Sequence, residues 1–175
     1  MSQTVGRRAG RVMLVLAWAA GLFLATRFFA DWEDERVNPN REPVSRIDGG
    51  QIEVQLAGNR SGHFVAGGQI NGVPVTFLLD TGATDVAVPV ELAERLRLQR
   101  GAPVMLQTAN GKTTGFRTEI ASLQLGDIVL RNVRAIIAPG FLSEQVLLGM
   151  SALKQLEFTQ RAGTLVLRQS ATDRP

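Results

Sequence analysis

The chain has 175 residues, 45% apolar and 20% charged, a size that suits one compact domain plus an anchor or tail. It has no cysteine, so a disulfide framework, a thiol nucleophile and a thiolate metal site are all excluded, and its single histidine, His63, cannot build a histidine-rich zinc site. The net charge is +3 and the pI about 10.5, but Arg7, Arg8 and Arg11 cluster at one end and the other bases are scattered among acids, which argues against nucleic acid as a partner.

Residues 1–11 form a basic N-terminal stretch. From Val12 to Ala30 the sequence reads VMLVLAWAAGLFLATRFFA, with Arg27 as its only charge. That length approaches the roughly 20 residues an α-helix needs to cross a bilayer, and Arg27 lies where its long side chain can snorkel to the interface. Arg7, Arg8 and Arg11 precede the run, and Asp31, Glu33, Asp34 and Glu35 follow it. The positive-inside bias then predicts a single-pass anchor over 12–30, a cytoplasmic N-terminus and a domain outside the cytoplasm, in a bacterium the periplasm. A cleaved signal peptide is the competing reading; the length of the apolar run and the lack of a small-x-small cleavage site favour the anchor.

Residues 31–60 read as a tether. DWEDERVNPNREPVSRIDGG is charged and broken by Pro39, Pro43, Gly49 and Gly50, leaving little to bury. Within it, Gln51 to Leu56 alternates in the manner of a short strand. Residues 61–170 form the predicted folded domain, with 171–175 as a tail.

Strands and tight turns fill this domain. Asn71-Gly72 and Asn110-Gly111 each lie between extended segments and tolerate the positive φ angles of a type I′ hairpin turn. Gly126-Asp127 is a third turn candidate, between TEIASLQL and IVLRNVRAII. One short helix is expected after Pro89, with Leu92 and Leu96 on one face. Another is expected after Ser151 as its N-cap, with Leu153 and Leu156 inward. The fold class is mainly β, with a small barrel or closed hairpin arrangement.

The informative segment is FLLDTGAT, Phe77 to Thr84, where an apolar strand runs into a carboxylate and then into small, turn-forming residues. Asp-Thr-Gly alone would read as an ordinary Asx-type turn. Its flanks make it specific: Leu78 and Leu79 before, Ala83 and Thr84 after.

This segment resembles the active-site loop of aspartic proteases, and the domain from Gly62 to Gln169 resembles the retropepsin-like (retroviral-type) group, which has bacterial, membrane-anchored members. Leu147-Leu148-Gly149-Met150 is similar to the apolar-apolar-Gly motif that supports the catalytic loop in that family. QTANGKTTG, Gln107 to Gly115, stands where the family has its flap hairpin.

The resemblance implies a single-lobed acid-protease barrel with a flap, no cofactor and no metal, and a peptide or protein substrate. Asp80 would be catalytic, within the active-site loop Thr81, Gly82, Ala83 and Thr84. Thr108, Ala109, Asn110 and Gly111 would bind substrate from the flap, and Leu148 and Gly149 would support the loop. Viral members often carry an acid where this chain has Thr84, which implies altered pocket chemistry. Asp85 is read either as a substrate contact or as a solvated turn acid, and His63 as a strand residue with a local hydrogen bond.

Aspartic protease chemistry needs two carboxylates that share one proton, because like charges a few ångströms apart cannot both ionise readily. The chain has one Asp-Thr-Gly; Asp31, Asp34, Asp48, Asp85, Asp127 and Asp173 lack that context. A homodimer that supplies Asp80 twice is therefore expected; the resemblance implies that Thr81 bonds across its interface, and Gly163 to Gln169 is the candidate for the strand that seals it. The alternative is a non-catalytic, membrane-tethered peptide-binding module of the same fold.

Overall fold

The computed structural model describes residues 3–108, 111–140 and 145–170. Two compact units emerge, Met1–Arg36 and Val37–Pro175.

The first unit is one helix, α1 (Gln3–Val37), longer at both ends than the predicted span. Its described apolar side chains, among them Leu14, Leu16, Trp18, Phe23, Leu24 and Phe28, are exposed on all faces rather than gathered into one stripe. Among the described residues no helix is long and apolar enough to cross a membrane. The central side chains described in α1 are those of residues 13–28, part of the run from Val12 to Ala30.

The second unit starts earlier than the sequence suggests. The stretch read as a tether supplies two strands, β1 (Ser45–Asp48) and β2 (Gln51–Ala57), and β2 buries Ile52, Val54 and Leu56. Its alternation is short and its neighbours are charged, so the local pattern understates it. Burial comes from pairing along its whole length with β11 (Thr164–Ser170), at the far end of the domain. Asn40 fixes the segment before β1. It is buried, its Nδ2 donates to the carbonyls of Ala57 and Val65, and its Oδ1 accepts from the Ala57 amide. The Gly67 amide then donates to the Asn40 carbonyl at 2.8 Å. A Cβ on Gly67 would run into the Arg41 carbonyl, so glycine is what lets this strap lie flat against the next strand.

The remaining strands are β3 (Phe64–Ile70), β4 (Val73–Leu79), β5 (Val86–Pro89), β6 (Pro103–Thr108), β7 (Gly111–Leu125), β8 (Ile128–Ala138), β9 (Val146–Leu148) and β10 (Glu157–Arg161). Seven of them form one sheet in the order β3-β4-β9-β5-β8-β7-β6, and β3 also pairs with β7. That extra pairing, Gln69 with Gln124 and Ile70 with Leu123, closes the sheet on itself into a small barrel. Phe77, Val86, Ile120, Val133, Ile137, Val146 and Leu148 fill the barrel interior without exposure above a trace. A second, four-stranded sheet runs β1-β2-β11-β10.

Asn71 and Gly72 take positive φ (50° and 77°) between paired Ile70 and Val73, the expected two-residue hairpin. Leu125 and Ile128 close the turn at Gly126-Asp127 in the same way. The third hairpin differs by one residue. Thr108 pairs with Gly111, so Gly111 opens β7 rather than forming the turn. Ala109 and Asn110 lie outside the described residues.

The helices α2 (Val90–Ala93) and α3 (Met150–Leu153) are single turns. Leu92, Leu96, Leu153 and Leu156 are buried as expected. The cap of α3 is Gly149, not Ser151, which lies inside the helix. β2 and β10 occupy both edges of β11, so the strand expected to seal a dimer has no free edge for pairing with a second copy.

Candidate active site

Asp80 follows the last residue of β4, where that strand runs parallel to β9 with Leu79 opposite Leu148. Both strands are apolar, so their side chains pack into the barrel and the chain must leave the sheet at Asp80. The Asp80 amide continues the ladder by donating to the Leu148 carbonyl at 3.2 Å. The Ala83 amide donates to the Asp80 carbonyl at 3.2 Å, closing a turn. The Gly82 amide donates to Asp80 Oδ1 at 2.8 Å. One carboxylate oxygen is thus fixed by backbone. Among the described residues Oδ2 takes no hydrogen bond, and the side chain is half-buried, within reach of solvent.

The far side of the loop is locked to the turn after β9. The Met150 amide donates to the Ala83 carbonyl at 2.8 Å and the Ser151 amide to the Thr84 carbonyl at 3.0 Å. Gly149 lies directly beneath, and a Cβ there would overlap the carbonyl oxygens of Asp85 and Ala83. β5 then returns antiparallel beside β9, with Ala87 opposite Leu147. The loop 80–85 is therefore wrapped around a glycine that only a bare backbone can occupy. The Leu148 carbonyl and the Gly149 backbone both lie against the loop 80–85.

Two residues tie this loop to β8 through bonds that were not read from the sequence. Ser151 Oγ accepts from the Val86 amide at 2.9 Å and donates to the Arg134 carbonyl at 2.7 Å, and the residue is buried. It ties the loop exit to β8. A serine just past an apolar-Gly pair was visible, but its partners come from β5 and β8 and only the folded sheet brings them together. Ser151→Ala leaves the buried Val86 amide without its hydroxyl partner and removes a bond from the Arg134 carbonyl, which should cost about 1–3 kcal/mol of stability in urea unfolding.

Asp85 is the second. Its carboxylate takes the Arg134 Nε–H at 2.5 Å and is only 18% exposed, while Arg134 is 60% exposed. Asp85 is thus not a free turn acid; it is held to β8 by a partly solvated pair of modest strength.

Thr81 and Gly82 are exposed at the loop tip and Ala83 is half-buried. A cavity of about 160 Å³ opens beside Asp80 and Thr81, lined also by His63, Phe64, Phe158 and Gln160. It is large enough for one side chain, not for an extended peptide. His63 precedes β3 rather than lying in it, and its local hydrogen bond is made by backbone: its amide donates to Asn59 Oδ1 at 3.0 Å. Of the flap residues, Thr108 and Gly111 close the β6–β7 hairpin. Its residue Met105 is 68% exposed.

The family model described as "gag-polyprotein putative aspartyl protease" matches residues 66–155, which span the strand before Asp80, the loop, the flap and Gly149. A protein of Sinorhizobium sp., encoded in the cobV 5′ region, is 34% identical over 134 residues, 74% of this chain and 58% of its own length. A Rickettsia prowazekii (strain Madrid E) protein is 30% identical over 108 residues, 60% of this chain and 46% of its own. The chain thus spans about half the length of these curated relatives. The crystal structure of a retropepsin-like aspartic protease from Rickettsia conorii superposes with a TM-score of 0.56 at 28% identity, over 67% of this chain and 90% of that one. By sequence and by fold, the chain belongs to the retropepsin-like aspartic protease family.

Proposed function

We propose that the chain is an aspartic endopeptidase that works as a homodimer, with Asp80 of each copy forming the catalytic pair. The observation that carries this reading is the setting of Asp80. Its carboxylate stands at a strand end, one oxygen fixed by the Gly82 amide, on a loop wrapped around Gly149. A loop built this way holds a carboxylate rigidly at the surface, where a second copy could meet it.

In the pair, one carboxylate is ionised and takes a proton from water as the oxygen attacks the scissile carbonyl. The other is protonated and donates to the carbonyl oxygen, stabilising the tetrahedral intermediate. Proton transfer to the amide nitrogen then lets the C–N bond break, releasing an acid and an amine. Thr81, exposed next to Asp80, would bond across the interface, and the β6–β7 hairpin would close over the substrate and exclude water. Thr108 to Gly111 are proposed to contact the peptide from that hairpin, and Gly82 to offer it backbone.

The test is a peptide library incubated with the full-length chain and with Asp80→Asn. Defined cleavage products with the wild type and none with the variant are expected. Peptide retention without cleavage by either chain would instead identify a binding module.

We further propose that residues 12–30 anchor the enzyme in a bacterial inner membrane with the domain in the periplasm. Support comes from the exposed apolar side chains of α1 and from the basic and acidic residues that flank the run. The full chain is expected to stay with membranes through alkaline carbonate washing, with its domain digested by protease added from the periplasmic side. Recovery in the soluble wash would end this reading.

A further inference from the structure

Beyond residue 36 the described residues expose five large apolar side chains: Val37, Val44, Ile47, Met105 and Phe158. Met105 belongs to the β6–β7 hairpin and Phe158 lines the Asp80 cavity, so the proposed site accounts for both. The other three all fall between residues 37 and 47, where the chain enters the domain. Val44 is 76% exposed and Ile47 67%.

Their setting is an unpaired strand edge. β1 bonds β2 on one side, and among the described residues its other edge has no strand beside it. Ile47 pairs with the buried Ile52 but overhangs the end of the sheet, and Val44 precedes the strand. The N–H and C=O groups along this edge need hydrogen-bond partners, whereas Val44 and Ile47 gain by leaving water. Water alone meets the first need, and an apolar surface alone meets the second. The boundary layer of a bilayer meets both, with water and phosphate oxygens lying just above acyl chain. The charges alongside cancel, Arg41 and Arg46 against Glu42 and Asp48, and all four are exposed. Attraction to anionic lipid is therefore not the driving force; apolar contact is.

Chain length keeps this edge near a membrane if the run 12–30 spans one. Residues 31–37 continue α1 and carry Val37 no more than about 10 Å beyond the end of the run, at 1.5 Å per residue. That is close to the top of the headgroup layer. Asn40 is already bonded to the Ala57 and Val65 carbonyls, which leaves Asn38 and Pro39 as the connector.

We infer that the β1 edge, with Val44 and Ile47, docks on the lipid bilayer at the headgroup–acyl boundary, so that the four-stranded sheet stands on this edge. The inference rests on the anchor reading and not on the protease reading. β10 is then the far edge of the same sheet, three strand spacings away, about 14 Å at the usual interval. Phe158 and Gln160 on that strand line the Asp80 cavity, so the site is held clear of the headgroups and suits soluble or protruding peptide segments.

The chain has no cysteine, so single cysteines can carry a fluorophore at chosen positions of the full-length protein. The labelled chain is reconstituted in phosphatidylcholine vesicles, with or without acyl chains brominated near the headgroup end, which quench a fluorophore at close range. Labels at Val44→Cys and Ile47→Cys should lose most of their emission. A label at Lys154→Cys, exposed after α3, should lose none, and Leu22→Cys reports the anchor itself. Adding phosphatidylglycerol should leave the pattern unchanged; quenching that required it would replace apolar docking with charge attraction and overturn the inference.

Proximity forced by the short connector is separated from docking by a label at Asp48→Cys. Its quenching should be largely lost in the V44D/I47D background, while that of Leu22→Cys persists. An Asp48→Cys label quenched equally in both backgrounds would mean that Val44 and Ile47 hold nothing down. Labels at 44 and 47 that behave like the one at 154, with Leu22→Cys quenched, would overturn the docking and leave the anchor standing. No quenching at any position, Leu22→Cys included, would sink both.

Discussion

Asp80→Asn should abolish peptide cleavage, by on the order of 10⁴-fold or more, and should do so in trans. The substitution is nearly isosteric, and an Asn Oδ1 can still accept from the Gly82 amide that now holds the carboxylate at 2.8 Å. Folding and association are therefore expected to be unchanged, and only the ability to take and give a proton is lost. A site built from two copies of one residue has a further consequence. If copies pair at random, a mixture of equal parts wild type and Asp80→Asn contains about a quarter wild-type dimers, and activity should fall to that fraction. A chain that worked with one carboxylate would retain half. Titrating Asp80→Asn into a fixed amount of wild type, and following initial rates of peptide cleavage, separates the two curves. Activity that follows the wild-type concentration linearly would rule out a shared site.

The parts of the site that were legible in the sequence are those encoded locally. Asn71-Gly72 requires positive φ at both positions, and few residue pairs other than Asn-Gly accept this so readily. Asp80 was recognisable because an apolar strand, a carboxylate and small residues follow one another without interruption. What stayed hidden depends on partners distant in the chain. β2 looked like part of a tether because its burial depends on β11, more than a hundred residues further on. The same pairing makes β11 an interior strand and passes the free edge to β10, whose EFTQR sequence carries no strong strand signal. Ser151 looked like a helix cap because serine so often is one. Its hydroxyl instead serves the Val86 amide and the Arg134 carbonyl, a role set by the crossing of β5, β8 and β9. Asp85 gave two readings from sequence, and neither foresaw its pairing with Arg134, on a strand far along the chain.

Gly149→Ala should be the most damaging single-methyl change in the active-site loop and its support. Gly149 has φ −88° and ψ −174°, extended backbone that alanine adopts freely, so conformational preference is not at issue. The obstacle is space. A Cβ at this position would stand 2.7 Å from the Ala83 carbonyl oxygen and closer still to that of Asp85. Both contacts are with backbone, which cannot swing aside as a side chain can. Relief requires the loop 80–85 to lift from the β9 turn, and that stretches the bonds from the Met150 and Ser151 amides to Ala83 and Thr84. Overpacking of this kind costs about 1–3 kcal/mol, and the displaced segment is the one that aims Asp80. Urea unfolding should show the loss of stability, and peptide cleavage should fall further than the fraction unfolded explains. Gly82→Ala makes the comparison informative. The nearest atom to a Cβ there is Asp80 Oδ1 at 3.1 Å, a side-chain atom at an exposed turn. Stability should therefore be nearly retained while cleavage falls, because the carboxylate must turn to make room. A Gly149→Ala protein with wild-type stability would mean that the loop is not braced on the β9 turn, and the rigid placement of Asp80 would need another source.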